Sequence, residues 1–214
     1  MKHYTHVIWD FNGTLFDDVD AGIESANRLL ANHGLPKLVS REQYRSLFGF
    51  PIIDYYRRLG FDFSKTPYAS LASEWVPYYL SCSANARLHN DAIATMEALR
   101  VRGIVQLVLS ATEKNMLTQQ IDDLGLSPYL DEILGLDDIH AYSKEEIGLR
   151  WRDRHPDACV LFVGDTDHDA QVAAAMGVDC ILVASGHQSR ETLEKLHPLA
   201  VLDRLGEIEA YFHK

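Results

Sequence analysis

Acidic residues and a hydroxyl follow apolar runs, and one ammonium stands near the start of a helix, at positions where they could do chemistry. Asp10 opens the segment DFNGT, Ser110 follows a second apolar run, and Asp165 and Asp169 follow a third. Lys144 stands at the start of a later predicted helix. Carboxylates with open geometry suit Mg²⁺, a hard cation that prefers oxygen ligands, and a hydroxyl and an ammonium suit phosphate oxygens. The residues predict a magnesium site beside a place for a phosphorylated ligand.

These residues share one crevice only if the strands before them are parallel. Short, continuously apolar runs predict buried strands at 7–9, 104–109, 160–163 and 181–184, with weaker ones at 133–136 and 200–202. Helical patterns alternate with them at 91–101, 113–124, 144–153, 168–176, 189–196 and 205–212. This alternation predicts an α/β fold with a Rossmann-like parallel sheet. In such sheets ligands bind beyond the carboxyl ends of the strands.

The segment 17–88 interrupts the alternation, because it contains only helical patterns. We expect helices at 18–33, 40–48, 51–59 and 67–83. Ser40 with Gln43, and Ser143 with Glu146, have the spacing of capping boxes at helix starts. We therefore predict a core domain of residues 1–16 and 89–214 with an inserted α-helical cap of residues 17–88, hinged near 15–18 and 86–90.

The composition and net charge of the chain argue against several classes of protein function. The 214 residues carry 20 Lys and Arg against 31 Asp and Glu, a formal net charge of −11. Such an acidic chain lacks the electrostatic footprint of a nucleic-acid or anionic-membrane binder. No apolar run approaches the roughly 20 residues of a membrane span, and no signal segment is visible. Three cysteines without a C-x-x-C pair predict buried thiols in a reducing compartment, so we expect a cytoplasmic protein.

Two other metal sites are excluded by spacing. Asp165, Asp167 and Asp169 alternate as in a calcium loop, but an EF-hand needs Gly at its sixth and Glu at its twelfth position. Ala170 and Met176 stand there. The ten histidines are scattered without a zinc-binding spacing. We expect Asp167 to be a turn residue, or a group that orients the site without binding the metal.

The ordered set resembles the haloacid dehalogenase (HAD) superfamily. Residues 10–15, DFNGTL, resemble its first motif, D-x-D-G-T-[LV]. Ser110 is similar to its second motif, Lys144 to its third, and the GDTDHD segment at 164–169 to its fourth. The helical insert after the first motif resembles the superfamily's cap, and the tail GHQSRETL at 186–193 resembles phosphoglycolate-phosphatase-like members. The resemblance covers nearly the whole chain.

The resemblance implies a role for each motif residue. It implies that Asp10 attacks phosphorus and forms an aspartyl-phosphate, a covalent intermediate that divides one hard step into two. Ser110 and Lys144 would hold phosphoryl oxygens. Mg²⁺ would lie between Asp10, the backbone carbonyl of Asn12 and the carboxylates of the fourth motif. The implied site residues are, as catalytic groups, Asp10, Asn12, Ser110 and Lys144; as substrate-binding groups, Thr14, Ser110, Ala111 and Lys144; and as metal ligands, Asp10, Asn12, Asp165 and Asp169.

Asn12 departs from the superfamily, whose phosphatases carry a second Asp there as general acid and base. An amide cannot exchange a proton near neutral pH, and losing such a group typically costs about 10²–10⁴-fold in rate. Three interpretations stay open. The protein hydrolyses slowly, or only esters with good leaving groups; another group such as His168, Asp17 or a cap residue replaces Asn12; or the site only binds a phosphorylated ligand or runs different chemistry.

The expected function is Mg²⁺-dependent hydrolysis of a small phosphomonoester, with phosphoglycolate-type metabolites first because of the tail and cap resemblance. The alternative is a regulatory or ligand-binding protein that has lost turnover. Carbon–halogen hydrolysis is a further alternative, but it needs no Mg²⁺, so the acidic pair Asp165 and Asp169 counts against it. A receiver-type phospho-acceptor domain would not explain the helical insert. Thr14 could bond the phosphate or the Asp10 backbone, or cap a turn. The tyrosines at 55–56 and 78–79 could touch substrate or line helix faces. We expect a monomer or homodimer.

Overall fold

A parallel sheet lies at the centre of the fold. The computed structural model describes residues 2–136 and 143–212. Its strands are β1 (His6–Trp9), β2 (Phe16–Asp17), β3 (Arg87–Leu88), β4 (Val105–Glu113), β5 (Glu132–Leu136), β6 (Val160–Gly164), β7 (Asp179–Val183) and β8 (Ala200–Leu202). Six of them form one sheet in the order β5-β4-β1-β6-β7-β8, and each neighbouring pair is parallel. The predicted α/β, Rossmann-like core is confirmed.

Helices flank this sheet and fill the segment before β3. They are α1 (Val19–Asn32), α2 (Arg41–Leu47), α3 (Ile52–Arg58), α4 (Tyr68–Ser83), α5 (Ala92–Val101), α6 (Lys114–Asp123), α7 (Lys144–Arg154), α8 (Asp167–Met176) and α9 (Arg190–Glu194). The last predicted helix, at 205–212, is a 3₁₀ helix over Leu205–Tyr211. The capping box of Ser143 is present. At Ser40 only half of it forms, because the Gln43 side chain accepts from the N–H of Val39 instead.

The two central strands are buried on both faces, which explains their continuous apolar sequence. In β1, Val7 and Trp9 face one buried cluster while Ile8 faces the other. The Trp9 indole N–H donates to Gln106 Oε1 at 3.1 Å, so the polar atom of this buried ring is satisfied. Because β1 is buried on both faces, its position in the sheet is fixed, and so is the position of the residue that follows it.

Helices α1 to α4 enclose a third apolar cluster, which includes Leu29, Leu30, Tyr44, Tyr56 and Leu71. The chain enters this helical segment through β2 and leaves it through β3. These two strands pair antiparallel, with Phe16 opposite Leu88 and Asp17 opposite Arg87. Two-residue strands are too short to show a hydrophobic period, which is why the sequence did not predict them.

Strand β4 is longer than predicted. It extends to Glu113, four residues beyond the expected end, and its register against β5 shifts between Leu109 and Glu113. Ser110 and Ala111 therefore lie within the strand at an irregularity, and not in a turn after it. Such bulges redirect side chains at the ends of sheets.

Other expectations concern the environment of the chain. Within residues 2–136 and 143–212, no helix combines the length and the apolar character that a membrane crossing requires. The three cysteines are free thiols, as predicted, but each is half-buried and not fully buried.

Candidate active site

Three buried carboxylates and one ammonium converge at the carboxyl edge of the sheet. Asp10 follows β1, Asp165 follows β6, Asp169 lies in the first turn of α8, and Lys144 opens α7. One carboxylate oxygen from each aspartate lies within 4.8 Å of the others. The Lys144 ammonium contacts Asp10 Oδ1 and lies 2.5 Å from Asp169 Oδ1. Residues far apart in sequence thus form one cluster, because parallel strands end at the same edge.

The cluster holds more negative charge than its lysine neutralises. Burial, followed by repulsion from Asp169, raises the pKa of Asp10 well above its ordinary value, although Lys144 opposes this. Burial favours the neutral form of Lys144, but attraction from Asp10 and Asp169 raises its pKa overall. With all three carboxylates ionised, one ammonium leaves two net negative charges in a region shielded from water. Further positive charge would stabilise this arrangement.

Asp165 is the carboxylate of the cluster that Lys144 does not contact. Burial, the largest effect, raises its pKa to about 7, with the Asp169 charge adding to the rise and His187 opposing it. Its Oδ1 accepts from the Thr14 hydroxyl at 3.1 Å, and its Oδ2 accepts from the His187 backbone N–H at 2.6 Å. Gly13, at φ +77°, leaves room for this carboxylate, since a Cβ there would lie 2.2 Å from Asp165 Oδ2.

Asp169 is held as an anion by its own loop. Its Oδ2 accepts from the backbone N–H groups of Asp165 and Thr166, at 3.1 and 3.0 Å, and from the Thr166 hydroxyl at 2.7 Å. Burial works against ionisation, but Lys144 and these donors lower the pKa of Asp169 below its ordinary value. Thr166 and Asp169 form a capping box at the start of α8. The sequence spacing T-x-x-D signals this box, which our sequence analysis did not use.

The donor set fits a hard divalent cation. The oxygens of Asp10, Asp165 and Asp169 are hard ligands that suit Mg²⁺. Asp167 is not part of this group. Its Oδ1 instead accepts from the Gln188 amide at 2.8 Å and from the Phe50 N–H at 3.4 Å. These contacts agree with the prediction that Asp167 is not a direct ligand.

Asn12 has a fully defined orientation. Its Nδ2 donates to Asp18 Oδ2 at 3.0 Å and to the Tyr79 hydroxyl at 2.7 Å, and its Oδ1 accepts from the Thr112 hydroxyl at 3.2 Å. The hydroxyl of Ser110 donates to the same Thr112 hydroxyl at 3.1 Å. The side chains of Ser110 and Asn12 are thus linked through Thr112, a residue that the sequence analysis did not single out.

Asp18 and His187 complete the surroundings of Asn12, and the sequence analysis assigned a role to neither. Asp18 Oδ1 accepts from the Gly13 N–H at 2.8 Å and lies 3.1 Å from His187 Nε2. Burial lowers the pKa of His187, but the Asp18 charge prevails and raises it to about 9. Two sequence signals were available: the acidic pair at 17–18, and a histidine in the loop after a predicted strand.

The proposed substitutes for Asn12 lie in different places. Asp17 is half-buried in β2. The His168 ring stacks on Phe50 at 4.7 Å, and burial followed by the Lys144 charge lowers its pKa. Tyr79, a residue of the helical segment, does reach Asn12. Of the proposed substitutes, the structure therefore brings a residue of the inserted helices, Tyr79, into contact with the Asn12 side chain.

The remaining residues that the sequence predicted lie on β4, beside Asp165 and in the helical segment. Ser110 is buried at the end of β4, and Ala111 beside it is exposed. Thr14, predicted to bond the phosphate or the Asp10 backbone or to cap a turn, is fully buried and donates to Asp165 instead. Tyr55 and Tyr56 are buried in the cluster of α1 to α4, as residues of helix faces would be.

The helical segment lies directly against the loop after β7. The Arg45 guanidinium donates to the backbone carbonyls of Gly186, at 2.8 Å, and Ser185, at 2.6 Å. The Tyr44 hydroxyl lies 2.8 Å from His187 Nδ1, and Gln188 donates to the Phe48 carbonyl at 3.3 Å. These contacts join α2 and the following loop to the carboxyl edge of the sheet, where the three aspartates lie.

Comparison with known families agrees with this architecture. The sequence profile described as haloacid dehalogenase-like hydrolase matches residues 7–183, which include every carboxylate of the cluster and its lysine. The chain belongs to this family.

Individual relatives are distant in sequence and close in fold. A phosphoglycolate phosphatase of Yersinia pestis is 23% identical, over 94% of this chain and 90% of its own length. One of Pseudomonas savastanoi is also 23% identical, over 94% of this chain and 77% of its length. Among solved structures, a HAD-like hydrolase of Streptococcus pneumoniae aligns over the whole of both chains with a TM-score of 0.82 at 19% identity.

Proposed function

We propose that this HAD-family hydrolase is a divalent-metal-dependent phosphatase that acts on a small phosphomonoester through Asp10. The observation that carries the proposal is the buried cluster in which Lys144 joins Asp10 to Asp169, while Asp165, which Lys144 does not contact, has a raised pKa. This arrangement combines a carboxylate nucleophile, a fixed cation for phosphoryl oxygens and oxygen ligands for a metal. A carbon–halogen hydrolase would need the first of these but not the metal ligands.

Asp10, Asp165, Asp169 and the backbone carbonyl of Asn12 are the groups we propose to hold Mg²⁺. When bound, the cation supplies positive charge that offsets the carboxylates and the phosphoryl oxygens. Lys144 already occupies one side of Asp10 and Asp169.

In the proposed reaction an Asp10 oxygen attacks phosphorus and the bond from phosphorus to the leaving oxygen breaks. The leaving oxygen keeps the electron pair of that bond. Asp10 retains 7% of its surface exposed. Lys144, the Ser110 hydroxyl and the backbone N–H of Ala111 hold the phosphoryl oxygens. Water then attacks phosphorus and the bond from phosphorus to the Asp10 oxygen breaks, which restores the Asp10 carboxylate and releases phosphate together with the protons of the water.

Asn12 sets the range of leaving groups. Both of its amide hydrogens are directed to protein acceptors, Asp18 and the Tyr79 hydroxyl. An amide so engaged gives no proton to a leaving alkoxide. We therefore propose efficient turnover only for esters whose leaving groups need little protonation, and slower turnover of others by about 10²–10⁴-fold.

Among metabolites, a phosphoglycolate-like substrate is the first candidate, on the strength of the distant relatives. We propose that residues 17–88 form a cap over a core of residues 1–16 and 89–214, because α1 to α4 have their own apolar cluster and β2 and β3 pair at the crossings. Closing a cap excludes water from the intermediate. Free thiols in the described chain are compatible with the proposed cytoplasmic setting, and we propose a monomer or homodimer.

The engaged Asn12 amide also favours a second candidate, a HAD protein that binds a phosphorylated ligand without turnover. Phosphate release from p-nitrophenyl phosphate with Mg²⁺ separates the two, because this leaving group needs little protonation. Asp10→Asn is the blank, and Asp179→Asn is the matched control, since Asp179 begins β7 at the opposite edge.

Phosphatase function predicts release by wild type and Asp179→Asn that requires the cation and is absent in Asp10→Asn. Release equal to the blank would refute it. The binding function then predicts that beryllium fluoride with Mg²⁺ raises the Tm of the wild type but not that of Asp10→Asn.

A further inference from the structure

Asp18 is a buried carboxylate that the proposed reaction does not use. It is the N-cap residue of α1, a position where carboxylates ordinarily accept from the first helical N–H groups. Its oxygens instead accept from Asn12 Nδ2 and the Tyr79 hydroxyl on one side, and face the Gly13 N–H and His187 Nε2 on the other. Only 1% of the residue is exposed.

These contacts make a closed triangle of Asn12, Asp18 and Tyr79. Asn12 donates to both partners, at 3.0 and 2.7 Å, and the Tyr79 hydroxyl donates to Asp18 at 2.5 Å. A carboxylate at position 12 would present oxygens to the Asp18 oxygens with no hydrogen between them. The amide at position 12 is therefore the group that Asp18 requires.

The charge of Asp18 is balanced from the other side. His187 lies 3.1 Å from Asp18 through Nε2 and 2.8 Å from the Tyr44 hydroxyl through Nδ1. Asp18 therefore has hydrogen-bond partners at both of its oxygens, and the Asn12 amide is one of them.

We propose that Asp18 is a positioning residue and that Asn12 and Asp18 are an amide–carboxylate pair, in which Asp18 and Tyr79 of α4 together fix the Asn12 side chain at the carboxyl edge of the sheet. In this arrangement Asp18 requires the Asn12 amide as a hydrogen-bond donor, so Asn12 has a role beyond the absence of a general acid at this position. Because Tyr79 comes from the helical segment, the pair is complete only when α4 lies against the core. The activity readouts below rest on the proposed phosphatase function, but the stability readout does not.

The pair can be reversed without losing a hydrogen bond. In the variant Asn12→Asp/Asp18→Asn, the amide at 18 donates to the carboxylate at 12 and to Tyr79, and the Tyr79 and Thr112 hydroxyls donate to position 12. The oxygen at 18 still accepts from the Gly13 N–H and from His187. The experiment compares this double variant with Asn12→Asp, Asp18→Asn and wild type.

Each protein is measured by Tm and by kcat and KM for aryl phosphates of graded leaving-group pKa. Asn12→Asp alone should lower Tm by about 3–12 °C, the value of one lost charge-assisted hydrogen bond in a chain of this size. It should lower kcat at least about tenfold by the same loss. The double variant should recover most of the Tm, and its kcat should depend less on leaving-group pKa, since a carboxylate then stands at position 12.

Additive Tm shifts of the two single variants, or an Asn12→Asp protein that is as stable as wild type and faster, would overturn the proposal. If Asn12→Asp does not fold, Tyr79→Phe tests the same triangle by removing one hydroxyl. It should lower kcat and leave KM for p-nitrophenyl phosphate nearly unchanged. Tyr78→Phe is the matched control, because Tyr78 bonds Asn32 within the helical segment. Equal effects of the two phenylalanines would also refute the proposal. A wild type without turnover, but with non-additive Tm shifts, would refute the phosphatase function and keep the pair.

Discussion

Asp165 and Asp169 stand four residues apart, one after β6 and one in the first turn of α8, and neutralising them should change stability in opposite directions. In the absence of divalent cations, Asp165→Asn should stabilise the protein above about pH 7, and Asp169→Asn should destabilise it. The folded protein raises the pKa of Asp165 to about 7 from 3.8, mainly by burial. It lowers the pKa of Asp169, because Lys144 and the donors of its loop outweigh burial.

The sign for Asp165 follows from proton binding. Between pH 3.8 and about 7 the folded state holds a proton that the unfolded state has lost. Stability therefore falls as pH rises through this window, and the full cost is present above it. At 1.36 kcal/mol per pH unit, that cost is about 4 kcal/mol. An amide at 165 avoids the charge and can still accept from the His187 N–H while donating to the Thr14 hydroxyl.

We therefore expect Asp165→Asn to gain about 2–4 kcal/mol above pH 7, which corresponds to a Tm increase of about 4–16 °C in a chain of this size. Asp169→Asn leaves Lys144 with one carboxylate and breaks a buried ion pair, which costs about 3–5 kcal/mol or about 6–20 °C. Stability that depends on the Asp169 charge is fully present above its unfolded pKa, 3.8. It is lost only at lower pH, as Asp169 gains a proton in the folded state.

Thermal unfolding followed by circular dichroism, with chelator and with Mg²⁺, measures both variants. Mg²⁺ should raise the Tm of the wild type, because a ligand that binds only the folded state stabilises it, and it should raise the Tm of Asp165→Asn much less. An Asp165→Asn protein that loses as much stability as Asp169→Asn in chelator at about pH 8 would show that Asp165 is compensated, and would refute the charge argument.

Three further substitutions test the framework of the site. Gly13→Ala places a Cβ 2.2 Å from Asp165 Oδ2 at φ +77°, whereas Gly34→Ala at φ +66° meets open space among the described residues; we expect the first to lower Tm well beyond the second, which carries only the backbone cost of about 1 kcal/mol. Arg45→Ala removes two hydrogen bonds to the loop after β7, so denaturant unfolding should show a loss of about 2–4 kcal/mol. Gln106→Leu leaves a buried indole N–H unpaired and removes a hydrogen bond to the Met96 carbonyl, and the same measurement should show a loss of at least about 2 kcal/mol.

The sequence by itself determined which chemistry is possible and at which edge of the sheet. Asp10, Ser110, Asp165 and the strands before them could be recognised because a parallel sheet needs continuous apolar runs, and polar residues after such runs meet at one edge. Lys144 was recognisable from its place at a capped helix start. These signals are local, since each depends on a few adjacent residues.

The tertiary structure decided how the site is completed. Asp18 meets Tyr79 across 61 positions and His187 across 169, and no local pattern encodes a contact over such a separation. For the same reason the sequence could not show that Thr14 serves Asp165, or that β4 continues through Ser110. Residue types and spacing fix the reacting groups, whereas the packing of the inserted helices against the loop after β7 fixes the partners of Asn12.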